Sequence, residues 1–254
     1  MPRFFVAARQ VAEGRAVLSG ADARHLARSL RAQRGETVVI VDDAGMEHAI
    51  RLDEITPQRV GGAVSWSRPV TGEPRLQVHV IHAIAKEGMD EAVDAMAAMG
   101  AASIRPCISQ RTIVRPDGDR QARRVNHWQS VARQAAQQAG RGSVPTVHPV
   151  RSLAQSLATL PVGARILACV VNEHTTPLSA FEPVADAPLV LCIGPEGDFG
   201  AGDLGLIVAA GAAAVHLGPR VLRSRLAASI ALALLLARSG DLDRPAGVPP
   251  GGPG

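Results

Sequence analysis

Two short segments concentrate the residues able to do chemistry. Leu191-Cys192-Ile193-Gly194-Pro195-Glu196-Gly197-Asp198-Phe199 follows one apolar run, and His216-Leu217-Gly218-Pro219-Arg220-Val221-Leu222-Arg223 follows the next. Glycines in such turns let a ligand approach the backbone and expose amide and carbonyl groups to it. Each turn also carries charge, Glu196 in the first and Arg220 and Arg223 in the second. An acid and two cations fixed on such turns suit proton handling and the stabilisation of charge that develops during a reaction. A structural ion pair between Glu196 and one of the arginines is the plainer alternative. Neither segment has the G-x-x-x-x-G-K or G-x-G-x-x-G spacing of a phosphate cradle, which argues against a nucleoside triphosphate or a dinucleotide. Cys107, Cys169 and Cys192 are far apart with no C-x-x-C pair, so neither a zinc site nor a disulfide framework is expected, and no metal.

The elements that must hold these turns alternate in type. Apolar runs at 76–84, 104–108, 165–171, 189–193 and 214–217 are expected strands, and their near-continuous hydrophobicity fits a sheet covered on both faces. Between them, 89–99, 119–139, 152–160, 204–210 and 226–239 are expected helices, with Gly100 and Gly140 as stops. Strand–helix alternation predicts an α/β domain with a parallel sheet. Both turns then sit at strand carboxyl ends, where such sheets bind ligands. Met89, Met96 and Met99 share one helix and are expected in the core.

The first seventy residues differ in character. Thr37-Val38-Val39-Ile40-Val41 is a β-branched strand, Asp42-Asp43-Ala44-Gly45 a turn, and 46–53 and 59–66 return strands. Residues 20–31 are an expected helix that places His25, Arg24, Arg28 and Arg31 on one basic face. Arg68 to Pro74, with two prolines and a glycine, is the best linker, and the Pro- and Gly-rich tail 244–254 is expected to be disordered.

Composition narrows the partners. The 254 residues carry a net charge of only +4, yet Lys86 is the single lysine among 27 basic residues. Arginine is the better bidentate phosphate ligand, so the bias suits an RNA surface, although a GC-rich gene gives the same bias. Four Phe, two Trp and no Tyr leave little for base stacking, so charge and shape would carry any RNA binding. The N-terminus lacks the apolar core of a secretory signal, and the apolar stretch Leu226 to Ala237 is too short to span a bilayer. A soluble, cytoplasmic chain is expected.

I-G-P-E-G at Ile193–Gly197 and L-G-P-R-V-L-R at Leu217–Arg223, ahead of a small-residue helix, resemble the SPOUT methyltransferases. More narrowly, the chain resembles the bacterial 16S ribosomal RNA (uracil-N3)-methyltransferase family. The likeness also takes in M-P-R-F-F-V at the start, R-H-L-A-R-S-L-R from Arg24, Lys86, P-C-I-S-Q-R-T-I-V-R from Pro106, and W-Q-S-V-A-R-Q-A-A-Q-Q-A-G-R from Trp128 with Val144-Pro145 beyond.

The resemblance implies a PUA-like RNA-binding β-barrel over 1–70 and a SPOUT domain with a deep trefoil knot over 75–243. It implies S-adenosylmethionine bound by Ile193, Gly194, Pro195, Glu196 and Gly197, by Leu217, Gly218, Val221 and Leu222, and by a third loop of Val171, Asn172 and Glu173. It further implies a homodimer acting on 16S ribosomal RNA of the small subunit, with no membrane partner. Arg223, Arg220 and Glu196 become the candidate catalytic residues. Arg3, His25, Arg28, Arg31, Lys86, Arg111, Arg115 and Arg141 become candidate RNA contacts, and His174 lies near the third loop. The chain departs from the family pattern at Asp198, where Gly is common, at Arg225-Leu226, where Glu-Thr is common, and at Gln137 and Ala98, where Glu is common. These departures keep two other readings open: a diverged paralogue acting on another RNA or a nucleoside-like molecule, and a non-catalytic RNA-binding assembly factor.

Overall fold

The structure, a computed structural model, describes residues 3–171, 175–184 and 187–243. They group into two compact units: residues 3–73 with Ala136–Val144, and residues 74–135 with 145–243. Asn172, Glu173, His174 and the tail 244–254 lie outside the described residues.

The first unit contains β1 (Arg3–Val6), β2 (Val11–Ala12), β3 (Arg15–Ser19), α1 (Gly20–Arg24), β4 (Thr37–Asp42), β5 (Met46–Ile55) and β6 (Arg59–Pro69). They form one six-stranded sheet in the order β1-β4-β5-β6-β3-β2. β1 runs parallel to β4 and the other pairs are antiparallel. Phe4, Leu18, Leu26, Ile40, Ile50 and Leu52 fill its core. The turn after β4 is built by Asp42, whose Oδ1 accepts the N–H groups of Ala44 and Met46 at 3.0 and 2.9 Å. Its Oδ2 meets His48 Nε2 at 3.0 Å, and His48 Nδ1 meets Ser67 Oγ at 2.7 Å. Opposite the β5 irregularity, a Cβ on Gly62 would fall 1.9 Å from the Arg51 carbonyl oxygen, so only glycine fits there.

Two expectations change here. The helix expected over 20–31 is α1 followed by a wider π turn at His25–Ser29, where the Leu30 N–H reaches the His25 carbonyl. Arg31 at φ +52° then turns the chain out of helical geometry. Arg68 and Pro69, expected in a linker, finish β6 opposite Glu47 and Met46.

The second unit contains β7 (Val78–Ala83), α2 (Met89–Met99), β8 (Ser103–Ile108), α3 (Gly118–Gln138), β9 (Thr146–Val147), β10 (Arg151–Ser152) and α4 (Leu153–Leu157). They are followed by β11 (Arg165–Cys169), β12 (Thr176–Pro177), β13 (Leu189–Ile193), α5 (Ala201–Ala209), β14 (Ala213–His216) and α6 (Ser224–Arg238). The sheet order is β10-β8-β7-β13-β11-β14-β12, with β9 also on β8, and every pairing is parallel. Both faces are covered, which is why the strands are apolar throughout. On β13, Leu189, Leu191 and Ile193 join Met96, Trp128 and Leu232 on one face. Val190 and Cys192 join Leu153 and Ile207 on the other. Each such leucine contributes about 1.5–3 kcal/mol by leaving water. Asp241 closes the unit by accepting the N–H groups of Arg75 and Leu76, each at 3.0 Å. Among the described residues no helix is long and apolar enough to cross a membrane.

Candidate active site

Three neighbouring strands end level with one another. Cys169 of β11 pairs with Ile193 of β13 on one side and Val215 of β14 on the other. The loops that follow therefore leave the sheet at one height and enclose a cavity of about 700 Å³. That volume falls within the range of small-molecule sites. Val171, Ile193, Gly194, Pro195, Glu196, Leu217, Gly218, Val221, Leu222 and Arg220 all line it. Gly197 and Arg223 do not, and Asn172 and Glu173 are outside the described residues.

The first loop is tied on every side. Ser224 Oγ at the start of α6 donates to the Gly194 carbonyl at 2.7 Å, and both groups are buried. Glu196 Oε1 accepts the main-chain N–H of Lys86 at 2.8 Å. Arg111 Nη1 donates to the Gly197 carbonyl at 2.5 Å. Asp198 sits at φ +61°, a left-handed conformation that favours Gly, Asn or Asp. Its Oδ2 accepts the Val171 N–H at 2.9 Å and its Oδ1 the Phe199 N–H at 2.7 Å. Buried Asp203 accepts the N–H groups of Gln110 and Gly200 at 2.9 and 3.1 Å, which joins α5 to the segment after β8.

The second loop is the opposite case. Gly218 adopts φ +96°, and a Cβ there would meet nothing within 4 Å. Its N–H donates to His216 Nδ1 at 3.1 Å, which leaves the other ring nitrogen as the protonated one in a neutral imidazole. From Pro219 to Leu222 the main-chain groups have no hydrogen-bond partner among the described residues. Polar backbone beside the apolar walls of Ile193, Leu217, Leu222 and Ala227 is a donor and acceptor set that a nucleoside-bearing ligand satisfies.

The charged groups divide by role. Glu196 braces Lys86 and forms no ion pair with Arg220 or Arg223 among the described residues. Arg220 and Arg223 are exposed. Arg223 is the residue before α6, whose first turn has no acid, and Arg225 follows two positions on. Three arginines thus gather at the positive end of a helix dipole, an electropositive spot suited to an anion. Arg225 packs over Gly88, where a Cβ would lie 2.7 Å from its Cδ. Burial, then Asp198, pushes the Cys169 thiol up to about 12, so this cavity-lining cysteine is no thiolate at neutral pH. His82 is fully buried behind the loop, and burial lowers its pKa, so it stays neutral. Its ring nitrogens face the Ala83 and Ser224 carbonyls at 2.7 and 3.3 Å.

The candidate RNA contacts do not share one environment. In the first unit His25, Arg28 and Arg31 are exposed, and in the second unit Lys86 and Arg111 are exposed. Arg115 is folded back, donating to the carbonyls of Ser109, Gln110 and Thr112. Two of the candidates are engaged by carboxylates. Arg141 is buried, with Nη2 donating to Glu73 at 2.6 Å, and Arg3 meets buried Glu47 at 3.1 Å. Arg141 is withdrawn from solvent and Arg3 partly so, and each meets a carboxylate of its own unit. Burial raises the Glu73 pKa, but the Arg141 hydrogen bond and charge outweigh it and hold the carboxyl below its usual range.

Sequence reasoning did not assign Asp198, Ser224, His216 or Thr175 to the site. Asp198 and His216 stand inside the two motifs, and their position beside the turn glycines was the available signal. The link from Ser224 to Gly194 spans thirty residues and had no local signature.

The comparisons agree with this geometry. An RNA methyltransferase domain model matches residues 72–236. The ribosomal RNA small subunit methyltransferase E of Mycobacterium bovis is 32% identical over 85% of this chain and 84% of its own length. The Synechocystis protein of the same name is 28% identical over 91% of this chain and 76% of its own. The Neisseria gonorrhoeae ribosomal RNA small subunit methyltransferase E, solved bound to S-adenosyl methionine, superposes with a TM-score of 0.83 at 26% identity, covering 93% of this chain and 97% of that one. The chain belongs to the RNA methyltransferase family that includes the ribosomal RNA small subunit methyltransferases E.

Proposed function

We propose that this chain is an S-adenosylmethionine-dependent methyltransferase that methylates N3 of a uridine in 16S ribosomal RNA. The observation that carries the reading is the cavity at the ends of β11, β13 and β14, with a firmly tied loop on one side and, on the other, main chain that has no hydrogen-bond partner among the described residues. The relatives named for small-subunit methylation and the neighbour solved with the cofactor support it.

The cofactor supplies a methyl group on a positively charged sulfur. The chain's task is alignment of the acceptor, exclusion of water and management of one proton. Main-chain groups of Pro219–Leu222 and of the Gly194 turn would hold the cofactor. Uracil N3 carries a proton at neutral pH, and its release to solvent water leaves negative charge on the ring carbonyls. Arg223, assisted by Arg220, would stabilise that charge from the start of α6. Glu196, with one oxygen on the Lys86 amide, would keep the loop in place. His25, Arg28, Arg31, Lys86 and Arg111 would contact RNA phosphates.

The reading includes a trefoil-knotted SPOUT unit, a PUA-like first unit, a cytoplasmic location and a homodimer. The dimer draws support from exposed Val171, Val221 and Leu226 in the loops and helix around the cavity, at 68%, 77% and 47% exposure. Mass spectrometry of ribosomal RNA nucleosides from cells with and without the gene tests the proposal. Loss of 3-methyluridine from the small subunit on deletion is the expected result, and an unchanged nucleoside profile would overturn it. A second reading, a changed acceptor, is favoured by Arg225 over Gly88, and incubation with labelled cofactor and free nucleosides tests it.

A further inference from the structure

A second cavity, of about 260 Å³, lies at the opposite edge of the second unit's sheet, between β8, β10 and α4. It is lined by Arg105, His148, Pro149, Arg151, Ser156 and Thr159, and none of the six is acidic. Arg105 projects from β8, and its Nη1 donates to Thr159 Oγ1 at 3.2 Å. Thr159 Oγ1 in turn lies 3.2 and 3.3 Å from the carbonyls of Gln155 and Ser156, so the hydroxyl steadies one side of the guanidinium. The Arg105 Nε is buried with no hydrogen-bond partner. Partners for such buried donors are the rule, and an unmet one costs about 1–3 kcal/mol.

In the first unit Arg3 also leaves a buried nitrogen, Nη1, without a hydrogen-bond partner, but there each inward arginine has a carboxylate beside it. Arg141 meets Glu73, and Arg3 and Arg68 meet Glu47. Among the described residues that line this cavity, Arg105 has a second guanidinium, Arg151, and no carboxylate. Burial lowers its pKa first, and the charge of Arg151 adds to that. His148 is lowered by burial and then by Arg105, His79 and Arg151. Concentrating like charge in a concave, half-buried place is unfavourable unless an anion completes it.

We propose that this cavity is a phosphate-binding site, distinct from the methyl-transfer cavity. Arg105, Arg151, His148 and Ser156 line it, and the forked geometry of arginine matches tetrahedral oxyanions. Its volume falls below the roughly 300–1,000 Å³ of whole-ligand pockets, which suits one phosphate group rather than an entire nucleotide. The occupant is a phosphodiester of bound RNA or free phosphate. Only the RNA source rests on the function proposed above.

The experiment uses the full chain and inorganic phosphate at constant ionic strength, with chloride as the matched control, and follows the His148 ring by NMR. Phosphate, and not chloride, is expected to shift His148 saturably and raise its pKa. Arg151→Gln, at an exposed rim position, is expected to weaken phosphate binding about tenfold, the loss of one charge-assisted hydrogen bond. Arg105→Gln should do the same, and if that variant fails to fold, the Arg151 variant still decides. A ring indifferent to phosphate, or equally moved by chloride, would overturn the site. Displacement of phosphate by a small-subunit RNA fragment, with the salt slope of RNA binding lowered by about one in Arg151→Gln, identifies the RNA backbone. Phosphate that stays bound in the presence of RNA identifies free phosphate. Cofactor titration of the same samples separates the two proposals, because a chain that fails to bind S-adenosylmethionine can still bind phosphate here.

Discussion

The Asp198 carboxylate accepts the Val171 N–H at 2.9 Å, which ties the loop after β13 to the loop after β11 across the cavity mouth. The same carboxylate holds the Phe199 N–H, and the residue's φ of +61° lets the side chain fold back onto the backbone. Asp198→Ala removes both acceptors and places a Cβ residue in a conformation alanine avoids. A loss of about 1.5–3 kcal/mol in loop order follows, seen as a roughly ten- to hundredfold weaker cofactor affinity by calorimetry. Asp198→Asn keeps one acceptor and tolerates the backbone, so its loss is expected to be smaller.

Ser224→Ala is a cleaner lesion. It leaves the buried Gly194 carbonyl without its 2.7 Å donor while the helix start is otherwise preserved. The expected cost is about 1–2 kcal/mol in stability, read by denaturant unfolding, with a parallel loss of cofactor affinity. Ser224→Thr keeps the hydroxyl and should recover most of the affinity if the bond, rather than the space, matters.

The strands that carry the site were legible because a doubly covered parallel sheet leaves apolar runs such as Leu189–Ile193. The two glycine turns were legible because their residue types are demanding. Strands β1 to β3 were not seen: they are short, and their pairing with β4 and β6 is a tertiary fact. The interior fate of Arg141 was also hidden. Its partner Glu73 lies far along the chain, inside a segment whose prolines mark it only as a connection. The π turn at His25 and the left-handed Arg31 after it end the helix early, and arginine gives no warning of a positive φ.

Arg141 and Glu73 give a test of structure against RNA contact. Arg141→Ala strands the Glu73 carboxylate and should destabilise the first unit by about 2–4 kcal/mol. If the guanidinium is occupied as the structure shows, the salt slope of RNA binding stays unchanged, whereas Arg28→Ala lowers it by about one.

Acid should weaken the first unit in a defined direction. Burial raises the Asp42 pKa, but His48 and the turn amides outweigh it, so Asp42, like Glu73, lies below its ordinary value. Groups with depressed folded-state pKa values contribute fully above their unfolded values, and that contribution is lost as pH falls through the folded ones. Melting temperature is therefore expected to hold from neutrality to about pH 5 and then fall. Asp42→Asn should flatten the fall while lowering the plateau, and an equally steep fall in that variant would show the acid response lies elsewhere.

Arg223 and Arg220 separate by position. Arg220 lines the cavity, whereas Arg223 stands outside its walls at the start of α6. A group that acts on charge developing in the acceptor affects turnover more than cofactor capture. Arg223→Ala should therefore leave S-adenosylmethionine affinity within about twofold of the parent and lower single-turnover methylation by about a hundredfold. Arg220→Ala should reduce both quantities. Glu196→Gln keeps an acceptor for the Lys86 N–H, so near-parental turnover is expected if bracing is its role. Steep loss of turnover in Glu196→Gln with cofactor affinity intact would assign the N3 proton to the carboxylate, because the amide keeps the shape and removes the base.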